Sequence, residues 1–221
     1  MMDTTINIVK DYIRKLFCNE STGHDYYHAI RVESTANKIC DIEGGNRLVV
    51  RLASLLHDVI DDKIQDSLNK KYEKFETFFE KLDISDVDKE NILYIMNNMS
   101  FSKMLESGSG ANNMLELAIV SDADKIDSVG AIGIARTFAY GGRVGNKIYD
   151  PEIKPELNLT REEYKRKGRI TTTLNHFDEK LLQIDKYIIT ETGKKIIRPR
   201  IDFIKMFKRQ FINEWNSILE E

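Results

Sequence analysis

Apolar residues recur every three or four positions along almost the whole of this 221-residue chain. That spacing lays them along one face of a helix, whereas a half-buried strand would need strict alternation. No convincing alternating stretch is present, and only Pro151, Pro155 and Pro199 stand as potential breaks. Abundant Leu, Lys and Glu suit the same conformation. The spacing therefore predicts an all-α chain, read as one domain with no internal repeat and no low-complexity tract.

Local signals divide the pattern into elements. Ile6, Val9, Ile13 and Leu16 form the stripe of a first amphipathic helix. A second helix is expected from about Asp25 to Ile42, stopping at Gly44-Gly45. Asn46 can cap a third, bearing Leu48, Val49, Leu52, Leu55 and Leu56. Lys70 to Leu82 reads as a short helix, and Ser85 with Asp88 as a capping box for the next. Glu106 to Asn113 is a loop by composition, and a helix follows from about Met114 through Asp127. A turn is expected at Gly141-Gly142, and an irregular excursion over residues 146–159. Helical patterns resume at Arg161 and from Ile170 to Ile189, and a last helix is predicted from about Pro199 to Leu219.

The bulk numbers exclude some roles. Hydrophobic residues make up 41% and charged residues 31%, a globular rather than a disordered balance. A net charge of −3 gives no footprint for nucleic acid or an anionic membrane. No run approaches the roughly 20 apolar residues that span a bilayer, and the acidic start of the chain reads as a helix rather than a signal peptide. Cys18 and Cys40 are far apart and outside any CxxC, which argues against a disulfide framework or a thiolate zinc site. A cytoplasmic protein with two reduced thiols is the expectation.

Only four histidines are present, His24, His28, His57 and His176. His28 lies early in the second helix, with Arg31 one turn on. In LLHDVIDDK, the pair His57 and Asp58 directly follows an apolar run. In SDADKIDSVG, Asp122, Asp124 and Asp127 follow the apolar ELAIV. Were the third helix to continue, Asp61 would lie beside both His57 and Asp58, and Asp62 beside Asp58. Such crowded carboxylates repel one another unless a cation or protons neutralise them. A lone helical histidine is more often structural, and an HD dipeptide is common by chance. The weight rests on the conjunction, in order, of a helical histidine, HD after an apolar helix, and aspartate after another. Mixed imidazole and carboxylate donors suit a divalent first-row metal better than a pure magnesium or calcium cage.

That order resembles the H…HD…D pattern of the HD-domain superfamily of helical, metal-dependent phosphohydrolases. HDYYHAIRV, LLHDVIDDK, DADKIDSVGAIGIARTFAYGG and NHFDEKLLQI together look like its small YedJ/YpgQ-like branch, over nearly the full length. The resemblance implies a single helical domain spanning 1–221. Its metal-site core would cover about 24–130, and helices over 160–221 would complete the pocket. It implies His28, His57, Asp58 and Asp124 as metal ligands, Asp124 being preferred over Asp122 because Lys125 follows it. His24 is expected to cap or flank the site rather than bind the ion. YIMNNMSFSK carries asparagines where some relatives have further histidines, so one ion is expected rather than two. Manganese is the first choice, with iron, nickel, cobalt, zinc or magnesium as others.

HDVIDD also resembles the HDxxED motif of the (p)ppGpp hydrolases, which implies Asp61 and Asp62 as the pair that handles the attacking water. Lys63, Lys125, Arg31, Arg136, His176 and Lys180 are the candidates to contact a phosphorylated substrate. The glycines of GAIGIARTFAYGGRVG do not make a phosphate loop, since no strand precedes them and neither GxGxxG nor GK[ST] is present. The implied activity is hydrolysis of nucleotides, foremost a (deoxy)nucleoside triphosphate pyrophosphohydrolase. A 5′-nucleotidase or other small-molecule phosphomonoesterase is the alternative, and a non-catalytic nucleotide-binding regulator is the rival of a different class. No nucleic-acid or membrane partner is expected, and homo-oligomerisation is left open.

Overall fold

A computed structural model describes residues 2–18, 23–59, 68–99, 114–157, 160, 163, 166 and 168–217. Among these residues every regular element is helical and no strand occurs. The chain forms two compact units, Met1–Ala123 and Asp124–Glu221.

The first unit contains α1 (Met2–Leu16), α2 (Tyr26–Glu43), α3 (Arg47–Leu56), α4 (Leu68–Glu80), α5 (Asp86–Asn98) and α6 (Leu115–Asp127) as far as Ala123. Its centre is α3, which packs on α1, α2 and α5. Seven of its ten residues are buried, among them Val49, Val50, Leu52, Leu55 and Leu56, while Arg47 and Arg51, one turn apart, mark its less buried side. The Asn46 side chain caps it by accepting from the backbone N–H groups of Leu48 and Val49. The preceding α2 is capped by Asp25 and ends at Gly44, whose N–H donates to the Cys40 carbonyl at 2.9 Å. At α5, the Ser85 hydroxyl accepts from Asp88 N and donates to Asp88 Oδ2 at 2.8 Å. The other oxygen of Asp88 accepts from Asn46 Nδ2 at 2.8 Å, which ties the caps of α3 and α5 together. The predicted stripe of α1 is the buried one: Ile6, Val9 and Ile13.

The second unit holds the end of α6, then α7 (Gly130–Val144), α8 (Asn175–Glu179), a 3-10 helix (Leu181–Tyr187) and α9 (Glu191–Ser217). Here α9 packs on α7 and on the 3-10 helix. Phe207, Phe211 and Trp215 recur every fourth residue on one face of α9. Phe177 joins this face at 5.8 Å from Phe207, and Phe138 lies 5.9 Å from Phe177. Arg200 Nη1 donates to the Ile126 carbonyl at 2.7 Å, satisfying an orphan acceptor near the end of α6.

Three expectations need correction. The turn placed at Gly141-Gly142 lies instead at Gly145, whose φ of 78° is the left-handed conformation that ends α7. Gly141 is inside the helix, and it is glycine for packing, since a Cβ there would come within 2.2 Å of Thr173 Oγ1. The helix expected from Ile170 to Ile189 is broken and starts later. Thr173 and Leu174 donate their backbone N–H groups to the carbonyls of Lys147 and Ile148, which holds this stretch out of a helix. The Thr172 hydroxyl then accepts from Asn175 N at the start of α8. Finally, α9 begins eight residues before Pro199 and runs through it. The Thr190 hydroxyl accepts from Gly193 N at its start. Proline forfeits one ladder bond, while burial of Ile197, Ile201 and Ile204 holds the helix on both sides of it. The excursion over 146–159 is irregular through residue 157. The expected loop at Glu106 to Asn113 and the helical start at Arg161 lie outside the described residues.

Among the described residues no helix is long and apolar enough to cross a membrane.

Candidate metal centre

Two chain segments of the first unit build the centre. The Asp25 carboxylate caps α2 by accepting from His28 N at 2.7 Å, which sets His28 in the first turn with its side chain fully buried. The second segment is the end of α3. The helix closes at Leu56, His57 still has helical φ and ψ, and Val59 N donates to the Leu56 carbonyl at 2.9 Å. This turn puts His57 and Asp58 side by side, 7% and 6% exposed.

The hydrogen positions follow from the partners. His57 Nδ1 lies 2.8 Å from the Ser54 carbonyl, which can only accept, so Nδ1 carries the hydrogen. In the neutral ring the lone pair is then on Nε2. That atom faces His28 Nε2 at 3.1 Å and Asp58 Oδ1 at 3.3 Å. Asp58 Oδ2 also lies 3.4 Å from His28 Nε2 and 2.8 Å from His24 Nδ1. Burial drives the Asp58 carboxyl up, but the opposing charge of His57 and hydrogen bonds from His24, His28 and His57 outweigh it and hold the group well below the usual carboxylate range. Two imidazole Nε2 atoms and an ionised carboxylate thus crowd one point, and they approach so closely only with a proton or a cation shared among them.

This donor set fits a divalent first-row ion. Neutral imidazole Nε2 and carboxylate oxygen are its preferred ligands, and the Nδ1–H bond from His57 to a backbone carbonyl is the support that a ligating histidine requires. His24, His28 and Asp58 place ligand-capable atoms within 4.8 Å of one another. His28, His57 and Asp58, predicted from the sequence, are therefore brought together in this unit. His24, expected to cap or flank the site, has its Nδ1 2.8 Å from Asp58 Oδ2. The signal for it was the H-D-x-x-H spacing, in which the two histidines bracket the cap of α2.

The remaining candidates are placed as follows. Asp61, Asp62 and Lys63 lie outside the described residues. Arg31 is half-buried on α2. Asp122 is fully buried on α6. In the second unit, Asp124 is half-buried and Lys125 buried. Arg136 Nη1 donates to Asp127 Oδ2 at 2.8 Å, so its charge is engaged within its own unit. His176 does not supply a cation. Burial, then the charges of Lys180 and Arg169, push its imidazole down to about 3, so the ring is neutral near pH 7. Lys180 is the C-cap of α8, its N–H donating to the His176 carbonyl at 3.0 Å.

Comparison with known proteins agrees with the site. The profile of the HD domain matches residues 25–129, which include all three residues His28, His57 and Asp58. The Bacillus subtilis protein YpgQ is 29% identical over 207 residues, covering 91% of this chain and 89% of its own length. A crystal structure of YpgQ in complex with ADP has a TM-score of 0.69 at 28% identity, covering 93% of this chain and 97% of that one. An HD-superfamily hydrolase from Bacillus thuringiensis is 33% identical, with a TM-score of 0.74 and coverage of 98% and 100%. A Lactobacillus plantarum structure matches at 33% identity and a TM-score of 0.83, with coverage of 97% and 98%. With its helical fold, its buried histidine and aspartate cluster and these full-length likenesses, the chain belongs to the HD superfamily of hydrolases, as a YpgQ-like member.

Proposed function

We propose that this protein is a metal-dependent hydrolase of nucleotide phosphate bonds, acting as a (deoxy)nucleoside triphosphate pyrophosphohydrolase that yields a monophosphate and pyrophosphate. The observation that carries the metal dependence is the 3.1 Å approach of His28 Nε2 to His57 Nε2 beside the ionised Asp58. His28, His57 and Asp58 would hold one divalent ion, manganese for preference, with Asp124 as a further ligand from the order of the H…HD…D pattern. When bound, the ion supplies an acidified water and polarises a phosphoryl oxygen.

The chain's own groups do the rest. The Ser54 carbonyl accepts the Nδ1–H of His57, which leaves Nε2 as the ring atom that can ligate. Asp61 or Asp62 orients the attacking water and accepts its proton. Arg31, Lys63, Lys125 and Lys180 are proposed to balance the charge that develops on the transferred phosphoryl group. His176, neutral, offers a hydrogen bond instead of a charge. Support for a nucleotide comes from YpgQ, which crystallised with ADP.

The test is direct. The metal-stripped protein is reloaded with Mn2+ and assayed against a panel of nucleoside tri-, di- and monophosphates. Pyrophosphate release from triphosphates that depends on Mn2+ supports the reading. Release of orthophosphate from monophosphates alone moves the assignment to a nucleotidase. Absence of metal-dependent turnover on every nucleotide removes it.

A further inference from the structure

We infer that His24 is a positioning residue of the metal centre, holding the Asp58 carboxylate in the orientation that ligation needs; this rests on the metal-dependent reading above. Its Nδ1 lies 2.8 Å from Asp58 Oδ2, the shortest of the three imidazole contacts to that carboxylate. An ionised carboxylate only accepts, so His24 Nδ1 donates. Its bond occupies Oδ2, which leaves Oδ1 facing His57 Nε2 and the point where the lone pairs converge. A buried carboxylate with one oxygen anchored presents the other as a single, directed ligand, which is the task of the groups behind a ligating side chain.

The local backbone is built for the contact. Gly23 immediately before His24 has φ 89°, a conformation that side-chain-bearing residues rarely adopt. Asp25 immediately after it is the N-cap of α2, with extended φ −87° and ψ 177°. His24 is thus pinned between a glycine that turns the chain and a cap that starts the helix. Its ring packs edge-on to His28, with centroids 5.3 Å apart at 79°. The His24 side chain is 31% exposed and that of Asp58 8%, so His24 forms the solvent side of an otherwise closed cluster. The carboxylate would swing more freely if this outer anchor were removed, while the core beneath would stay packed.

The experiment measures Mn2+ affinity by calorimetry and by the loss of the free-ion electron paramagnetic resonance signal, for the wild type, His24→Ala and His24→Asn. Circular dichroism melting of each metal-free protein checks folding. Asparagine is the informative variant, because its amide N–H can take the place of the Nδ1–H donor. The expected result is a Kd raised about 10- to 100-fold in His24→Ala and largely restored in His24→Asn, with unchanged metal-free melting. Equal affinity in the wild type and His24→Ala overturns the inference. Equal weakening in both variants also overturns it, because the ring would then act through a lone pair as a ligand. A wild type that binds no Mn2+ overturns instead the metal-dependent reading on which it rests.

Discussion

Two buried polar clusters, one in each unit, look alike in composition and differ in balance. In the second unit the Arg169 side chain is 8% exposed, its Nε donates to Glu156 at 2.7 Å, and its Nη2 is ion-paired with Glu179 at 2.5 Å. Thr171 adds a hydroxyl donor to Glu179 at 3.2 Å. The guanidinium is there set against two carboxylates of its own unit, so its charge is opposed within the cluster. In the first unit His28 Nε2 and His57 Nε2 lie 3.1 Å apart, and His57 Nε2 lies 3.3 Å from the Asp58 carboxylate. The difference separates a strut from a site. An ion-paired cluster of arginine and glutamate holds the fold, whereas crowded imidazoles and a carboxylate are the donor set of a divalent cation.

Mutations can break this distinction or sharpen it. Asp58→Ala is expected to have the largest effect. It should abolish Mn2+ binding and lower metal-dependent turnover by about three orders of magnitude, several kcal/mol at about 1.4 kcal/mol per decade. Its metal-free unfolding midpoint should fall less than that of Glu179→Gln, because the three histidines that lose the carboxylate can shed their protons. Glu179→Gln should do the reverse. Leaving the Arg169 guanidinium short of a buried partner is expected to cost about 3 kcal/mol of stability in urea unfolding, with Mn2+ affinity unchanged. Were Glu179→Gln to weaken metal binding instead, the two clusters would not be separable.

A pH series gives the next effect. The His176 imidazole is lowered to about 3 in the folded protein against 6.5 when unfolded, so the unfolded chain binds more protons between those values. Stability from this group is fully present above pH 6.5 and is lost as pH falls toward 3. After allowance for partial exposure of the ring, the loss is roughly 2 kcal/mol. Urea titrations from pH 4 to 8 should show a shallower acid decline in His176→Gln than in the wild type. An identical decline would place the acid sensitivity elsewhere. The smallest effect is reserved for Ser54→Ala. Its hydroxyl donates to the Val50 carbonyl at 2.7 Å, while His57 is held by the Ser54 backbone carbonyl. The substitution should cost about 1 kcal/mol and leave Mn2+ affinity untouched. A metal defect would mean that the hydroxyl also steadies His57.

The features readable from the sequence were those with local causes. Asp25, Gly44 and Asn46 set the ends of α2 and α3 through bonds to residues four or fewer positions away. His28, His57 and Asp58 were legible because each marks a helix start or end next to an apolar run. What escaped depends on distant partners. Residues 170–174 have helical spacing, but Thr173 and Leu174 bond to Lys147 and Ile148. Pro199 looked like a helix start until the buried isoleucines on either side of it held α9 together. The bond from Arg136 to Asp127, which lies on another helix, was not legible either. His24 was placed beside the site by its spacing from His28, but its bond to Asp58, 34 positions away, was not legible. His176 looked like a cation because burial, which neutralises it, is a tertiary property.

The central claim is that the unbalanced cluster of α2 and α3 binds a divalent cation. Crystals soaked in Mn2+ and measured at the manganese absorption edge test it without reference to turnover. The account predicts an anomalous peak in ligand contact with His28 Nε2, His57 Nε2 and Asp58, absent in Asp58→Ala crystals. No peak at these three residues, or a peak that persists there in the variant, would contradict it.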